Sequence, residues 1–130
     1  MNLLDTGHHV ILAYPAPSHN MELVKQVILN TPADSSITEI EKYLRQNRVK
    51  IPLEKHLTET ELSYQLYDSL GRHPRLHRVY LDRLLCDLDY CYANDERNIY
   101  LNDPNHVSFY GAELIANEIE KVLFEIKKSL

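Results

Sequence analysis

Residues 99–112 read Ile99-Tyr100-Leu101-Asn102-Asp103-Pro104-Asn105-His106-Val107-Ser108-Phe109-Tyr110-Gly111-Ala112. The chain passes here from a short apolar segment, through a tight polar loop, into a helix. Downstream, Ala112, Ile115, Ala116, Ile119, Val122, Leu123 and Ile126 recur at helical spacing and form one apolar stripe, with Glu113, Asn117, Glu118, Glu120 and Lys121 mostly off it. Ser108 is the expected N-cap. Lys127 and Lys128 stand at the end of the helix where the macrodipole favours positive charge.

Working back toward the amino terminus, Gly7 precedes His8-His9-Val10-Ile11-Leu12-Ala13-Tyr14, and Pro15-Ala16-Pro17 closes the run. This pattern predicts a buried, parallel strand ending in a loop. Ser18 or Asn20 is placed to cap a short helix holding Met21, Leu23, Val24, Val27 and Ile28, and Ser36 or Thr38 to open a second, with Ile37, Ile40, Tyr43 and Leu44, that ends before Pro52. Thr58 followed by Glu61 reads as a capping box for a helix to Ser69, with Leu62, Leu66, Tyr67 and Leu70 facing inward and Gly71 as the stop. Leu76 to Leu85 reads as a strand with Val79 and Leu81 on one face, Cys86 to Asn98 as a polar excursion, and Ile99 to Leu101 as a short strand-like segment. The elements together predict a three-layer α/β fold in which the last helix packs on a small, mostly parallel sheet.

The chain has 130 residues, enough for one domain, with 44 % hydrophobic and 25 % charged residues, so disorder and fibrous classes do not fit. A formal net charge of -5 argues against a nucleic-acid partner, since Arg72, Arg75, Arg78 and Arg83 are interrupted by acidic and apolar residues. No apolar run reaches the ~20 residues a membrane span needs, and the first residues carry no basic signal-peptide region.

Asp103 and His106 lie three positions apart in the loop, a spacing that can set the carboxylate beside the imidazole, select one tautomer and leave the other nitrogen free to take a proton. Pro104 restricts the backbone between them. A surface loop whose Asp and His only satisfy local hydrogen bonds is the plain alternative. The serines are Ser18, Ser35, Ser36, Ser63, Ser69, Ser108 and Ser129, and no serine sits in a Gly-x-Ser-x-Gly elbow. Cys86 and Cys91 are read either as a small disulfide ring or as a reduced pair, depending on compartment. His8, His9, His73, His77 and His106 raise the question of a metal, but no metal-binding motif spacing is present and no metal or cofactor is expected. Tyr110, beside the dyad, is the one tyrosine read as a pocket wall.

From Leu84-Leu85-Cys86 through Ile119 the sequence resembles the closing segment of the SGNH (GDSL-like) hydrolase fold, in the form attached behind the acyltransferase-3 membrane domain of bacterial cell-surface O-acetyltransferases. The residues that carry the likeness are Cys86 and Cys91, Ile99 to Leu101, the Asp103-x-x-His106 block, and Ser108 with Gly111 and Ala112. The run from His8 to Pro17 is similar to a late central strand of that family. The resemblance implies a flavodoxin-like three-layer fold that is incomplete, lacking the N-terminal strands, with residues 1–130 as a single partial SGNH-like domain. It implies His106 as general base and Asp103 as its orienting carboxylate in acyl transfer or hydrolysis on an acetylated sugar. The paired cysteines favour an extracytoplasmic setting, and a membrane acyltransferase module is the implied neighbour.

The family's Gly-Asp-Ser nucleophile block and its oxyanion-hole Gly and Asn blocks have no counterpart in these residues. The expectation is therefore a half-site that is inactive alone, on a domain whose first strand exposes an edge able to pair with another chain. A noncatalytic binding or assembly domain derived from the same fold is the alternative.

Overall fold

The structure is a computed structural model and describes residues 2–130. Strand β1 (Val10–Tyr14) lies parallel to β3 (Leu76–Tyr80), in register from Val10 opposite Leu76 to Tyr14 opposite Tyr80. A second, antiparallel pair joins β2 (Lys50–Pro52) to β4 (Tyr90–Tyr92). Helices α1 (Leu23–Asn30), α2 (Ile37–Gln46), α3 (Leu53–Glu59), α4 (Glu61–Asp68), α5 (Asp82–Leu85) and α6 (Phe109–Ser129) complete the element order. The fold is α/β with an incomplete sheet: two small open pairs of strands stand where a full flavodoxin-like sheet would be.

Tyr14 explains how β1 and α4 come together. Its ring is fully buried and meets Tyr80 at 4.4 Å, Tyr64 at 4.8 Å and Tyr67 at 5.2 Å between centroids. Its hydroxyl donates to Asp68 at 2.5 Å and accepts from Arg78 at 3.1 Å, so a phenol placed in the interior keeps its polar tip satisfied. Burial and the Asp68 carboxylate push this phenol up to about 12.

The main hydrophobic core lies away from this sheet. Leu23 and Val27 of α1 and Leu44 of α2 pack with Ala93 and Leu101, flanked by Tyr100 and Val107. Ser36 caps α2 with a reciprocal box: its hydroxyl accepts from the Glu39 amide, and the Glu39 carboxylate accepts from the Ser36 amide. Asn94, fully buried, ties the core's polar backbone by accepting from the Val49 amide and donating to Leu44 and Asp95 carbonyls.

Several local readings are corrected. The single helix expected over 58–69 is two, broken at Thr60; Thr58 lies inside α3, and Thr60 turns its hydroxyl back onto the His56 carbonyl instead of capping α4. Leu62, Leu66 and Leu70 do not face inward: they are 81 %, 63 % and 56 % exposed, because Tyr64 and Tyr67 supply the face of α4 that meets β1. The strand expected to run to Leu85 stops at Tyr80 and turns into α5. The polar stretch 86–98 contains β4 and three deeply buried residues, Cys91, Ala93 and Asn94. Neither Ser18 nor Asn20 caps α1, which starts after Glu22 without a side-chain cap. Ile99 and Leu101 make only single bridges, to Asn94 and Val107.

Candidate functional site

The loop 102–106 is closed at its base by the Leu101–Val107 bridge and by the Asn102 amide donating to the His106 carbonyl at 2.8 Å. Inside it, the Asp103 carboxylate organises the turn. Its Oδ1 accepts from the amides of Asn105 at 2.9 Å and His106 at 3.0 Å, the turn that an Asp side chain makes with the backbone two and three residues on. The same carboxylate lies 2.8 Å (Oδ2) and 2.9 Å (Oδ1) from His106 Nδ1. These donors, the Asn105 amide first and the His106 side chain next, hold the Asp103 carboxyl below the usual carboxylate range.

An ionised Asp103 accepts, so Nδ1 of a neutral His106 carries the proton and Nε2 presents its lone pair. The His106 side chain is 78 % exposed. The pair therefore has the local geometry of a base with its orienting carboxylate, displayed at the surface. The two predicted site residues are brought together as their spacing suggested.

The helix that follows is seated by Ser108 and Gly111. Ser108 Oγ accepts from the Gly111 amide at 2.9 Å and donates to the Ile99 carbonyl at 2.5 Å, fulfilling the expected cap. Lys127 and Lys128 occupy the last turn as expected. The predicted stripe of α6 is only partly covered: Ile115, Ile119, Val122 and Ile126 are half-buried, whereas Ala112, Ala116 and Leu123 are exposed. The Tyr110 ring stacks on Tyr100 at 5.9 Å.

Six of the serine hydroxyls are engaged elsewhere. Ser108 and Ser36 cap helices, and Ser35, Ser69 and Ser129 bond to nearby backbone carbonyls. Ser18 approaches the dyad loop, with its hydroxyl directed at the Pro104 carbonyl and the Asn105 side chain rather than at the imidazole. A disulfide joins Cys86 and Cys91, resolving the two readings of that pair.

The histidines fall into separate groups. His9 Nδ1 and His77 Nε2 lie 3.0 Å apart on stacked rings across the β1–β3 pair. His77 sits in β3 and His73 in the irregular segment before it, so the two share no helix face. Among the described residues no three His, Cys, Asp or Glu side chains are grouped to hold a metal ion. His19 and His56, which no sequence pattern singles out, are both 1 % exposed. Burial, with the neighbouring His56 and Lys55 charges, lowers His19 to about 4; burial also lowers His56, against the opposing pull of Asp82 and Glu59. His19 lies in an irregular segment and His56 inside the short helix α3, and no apolar stripe marks either, so sequence reasoning had no signal for them.

Among the described residues no helix is long and apolar enough to cross a membrane. No curated protein and no solved structure matches the chain. Residues 1–121 match the family model described as the SGNH domain fused to AT3 domains. With its incomplete α/β sheet and its loop of Asp103 and His106, the chain belongs to that SGNH domain family.

Proposed function

We propose that this chain is the C-terminal part of an SGNH-type O-acyltransferase or esterase acting on acetylated cell-surface sugars, in which His106 is the general base and Asp103 its orienting carboxylate. The observation that carries this reading is the 2.8 Å contact between Asp103 Oδ2 and His106 Nδ1, which leaves Nε2 available at the surface. In the reaction, Nε2 takes the proton of a serine hydroxyl as its oxygen attacks the acyl carbon. The imidazolium then returns that proton to the departing oxygen, and the acyl-enzyme is resolved by a second hydroxyl or by water. The 130 residues contain no Gly-Asp-Ser, so the nucleophile and the oxyanion donors belong to a segment that joins this one. The membrane acyltransferase module named in the family description is the proposed neighbour, and the disulfide supports an oxidising, extracytoplasmic location.

The test compares hydrolysis of an activated acetyl ester by the purified chain and by His106→Ala, each alone and each co-expressed with an SGNH segment bearing Gly-Asp-Ser. Turnover that appears only with the added segment, and only with His106 present, is expected. Turnover by the chain alone that vanishes in His106→Ala would place a nucleophile within these residues, and co-expressed turnover indifferent to His106 would refute the base assignment.

A second reading, a noncatalytic binding or assembly domain derived from the same fold, is favoured by one feature. Strand β1 has β3 as its only partner among the described residues, and exposed Leu62 and Leu66 lie on the neighbouring α4, with exposed Leu70 just past its end. Self-association through that edge is its expected consequence, readable by light scattering.

A further inference from the structure

The loop that presents His106 is an exposed turn whose internal bonds compete with water, so the closed turn and its Asp103–His106 contact are strengthened by whatever holds the loop against the domain. Asp103 supplies those internal bonds, and none of them reaches the body of the domain. Its base is seated by the buried Leu101 and by Val107, and its tip is held from the opposite end of the chain, just past the carboxyl end of β1. In open α/β sheets, sites are built on the loops beyond the carboxyl ends of the strands.

Two donors from that loop converge on one carbonyl. Ser18 Oγ lies 2.9 Å from Pro104 O, and the His19 amide donates to the same oxygen at 3.2 Å. Pro104 O thus has both lone pairs engaged. Ser18 Oγ is also 2.9 Å from the Asn105 side-chain oxygen position. A hydroxyl has one proton, so both contacts are satisfied when the Asn105 amide turns its NH2 toward Ser18 and Ser18 donates onward to Pro104. The clasp is itself anchored, since Pro17 and the His19 ring are buried.

We propose that Ser18 is a positioning residue of the acyl-transfer site, its hydroxyl clasping Pro104 and Asn105 so that the Asp103–His106 pair is held in one orientation on the end of β1. The inference rests on the reading of that pair as the working dyad. It gives Ser18 a role other than nucleophile: its proton is committed to the Pro104 carbonyl, and the residue acts through the loop.

The test is the tautomer of His106, read from its imidazole nitrogen shifts by NMR of the full chain at a pH where the ring is neutral, in wild type, Ser18→Ala, Ser18→Thr and Asp103→Asn. The wild type is expected in the Nδ1–H form, and Asp103→Asn is expected to lose it. Ser18→Ala is expected to cut the ratio of that form to the other about fivefold, the change one lost hydrogen bond of ordinary strength produces. Ser18→Thr, which keeps the hydroxyl, is expected to restore it. A Ser18→Ala spectrum identical to wild type, with Asp103→Asn shifted, would overturn the clasp and leave the dyad standing. Wild type and Asp103→Asn spectra that coincide would overturn the dyad, and the clasp with it. Should Ser18→Ala fail to fold, Ser18→Thr against Ser18→Val, alike in shape and differing in the hydroxyl, makes the same comparison.

Discussion

A β-carbon placed on Gly111 would lie 2.2 Å from the Tyr100 carbonyl oxygen, so α6 rests directly on the backbone that leads into the dyad loop. The same carbonyl accepts from the Ser108 amide at 2.8 Å, which fixes the helix start against it. Gly111→Ala therefore sets two effects against each other. Alanine is better than glycine inside a helix by about 1 kcal/mol, but here the helix must move off a backbone atom that cannot swing aside, and overpacking of this kind costs about 1–3 kcal/mol. Net destabilisation of up to about 2 kcal/mol is expected from urea unfolding. A stabilised variant would show that α6 is not seated on Tyr100.

Asp103→Asn separates the structural job of that side chain from its electrostatic one. The amide oxygen of Asn can still accept from the Asn105 and His106 amides, so the loop is expected to persist. What is lost is the charge that favours the Nδ1–H tautomer. In the complemented enzyme kcat is expected to fall by about four orders of magnitude, as for loss of the orienting carboxylate in a serine triad, with KM little changed. A fall of less than about tenfold would remove Asp103 from the dyad.

The buried His19 and His56 contribute to the response to acid. His19 is lowered to about 4 in the folded protein from an ordinary value near 6.5, and His56 is lowered too. Between those values the unfolded chain binds the proton that the folded one refuses. The stability linked to His19 is thus complete above pH ~6.5 and is lost as pH falls toward ~4. Urea midpoints are expected to drop over that window, and His19→Leu is expected to flatten the slope while costing little near neutrality, because neither ring nitrogen of His19 has a hydrogen-bond partner among the described residues. An unchanged slope in His19→Leu would assign the acid response to other groups.

The Cys86–Cys91 disulfide closes a short loop, with a sequence separation of 5. A loop of that size restricts the unfolded chain by about 2 kcal/mol in the chain-entropy model. Replacing both cysteines by serine is expected to lower unfolding free energy by that order. Cys91 is fully buried beside β2, so the single Cys91→Ser variant tests packing as well as the cross-link, and it is expected to be the worse of the two single variants.

Much of the site was legible because its determinants are local. Asp103 reaches the Asn105 and His106 amides two and three residues on, Ser108 reaches Gly111 three on, and the periodicity from Ala112 to Ile126 marks α6. Local pattern misled where a neighbour decided the outcome. Thr58 with Glu61 has the spacing of a capping box, yet α3 already extends through Thr58 and the reciprocal box forms at Ser36 and Glu39. Leu62, Leu66 and Leu70 have the spacing of an inward stripe, yet Tyr64 and Tyr67 take the contact with Tyr14.

By itself the sequence determined the Asp103–His106 turn and the cap and glycine that start α6, since each depends on backbone geometry and bonds within a few residues; it marked the strand entering Pro15 by its apolar run, while the parallel partner β3 that completes that strand lies far along the chain. Only the tertiary structure decided that Ser18 meets Pro104 across 86 positions, that Tyr14 bonds Asp68 and Arg78, that His19 and His56 are buried, and that β1 keeps an open edge. Those outcomes depend on which distant segments close on one another and what surface they remove from water, and residue spacing along the chain carries no record of either.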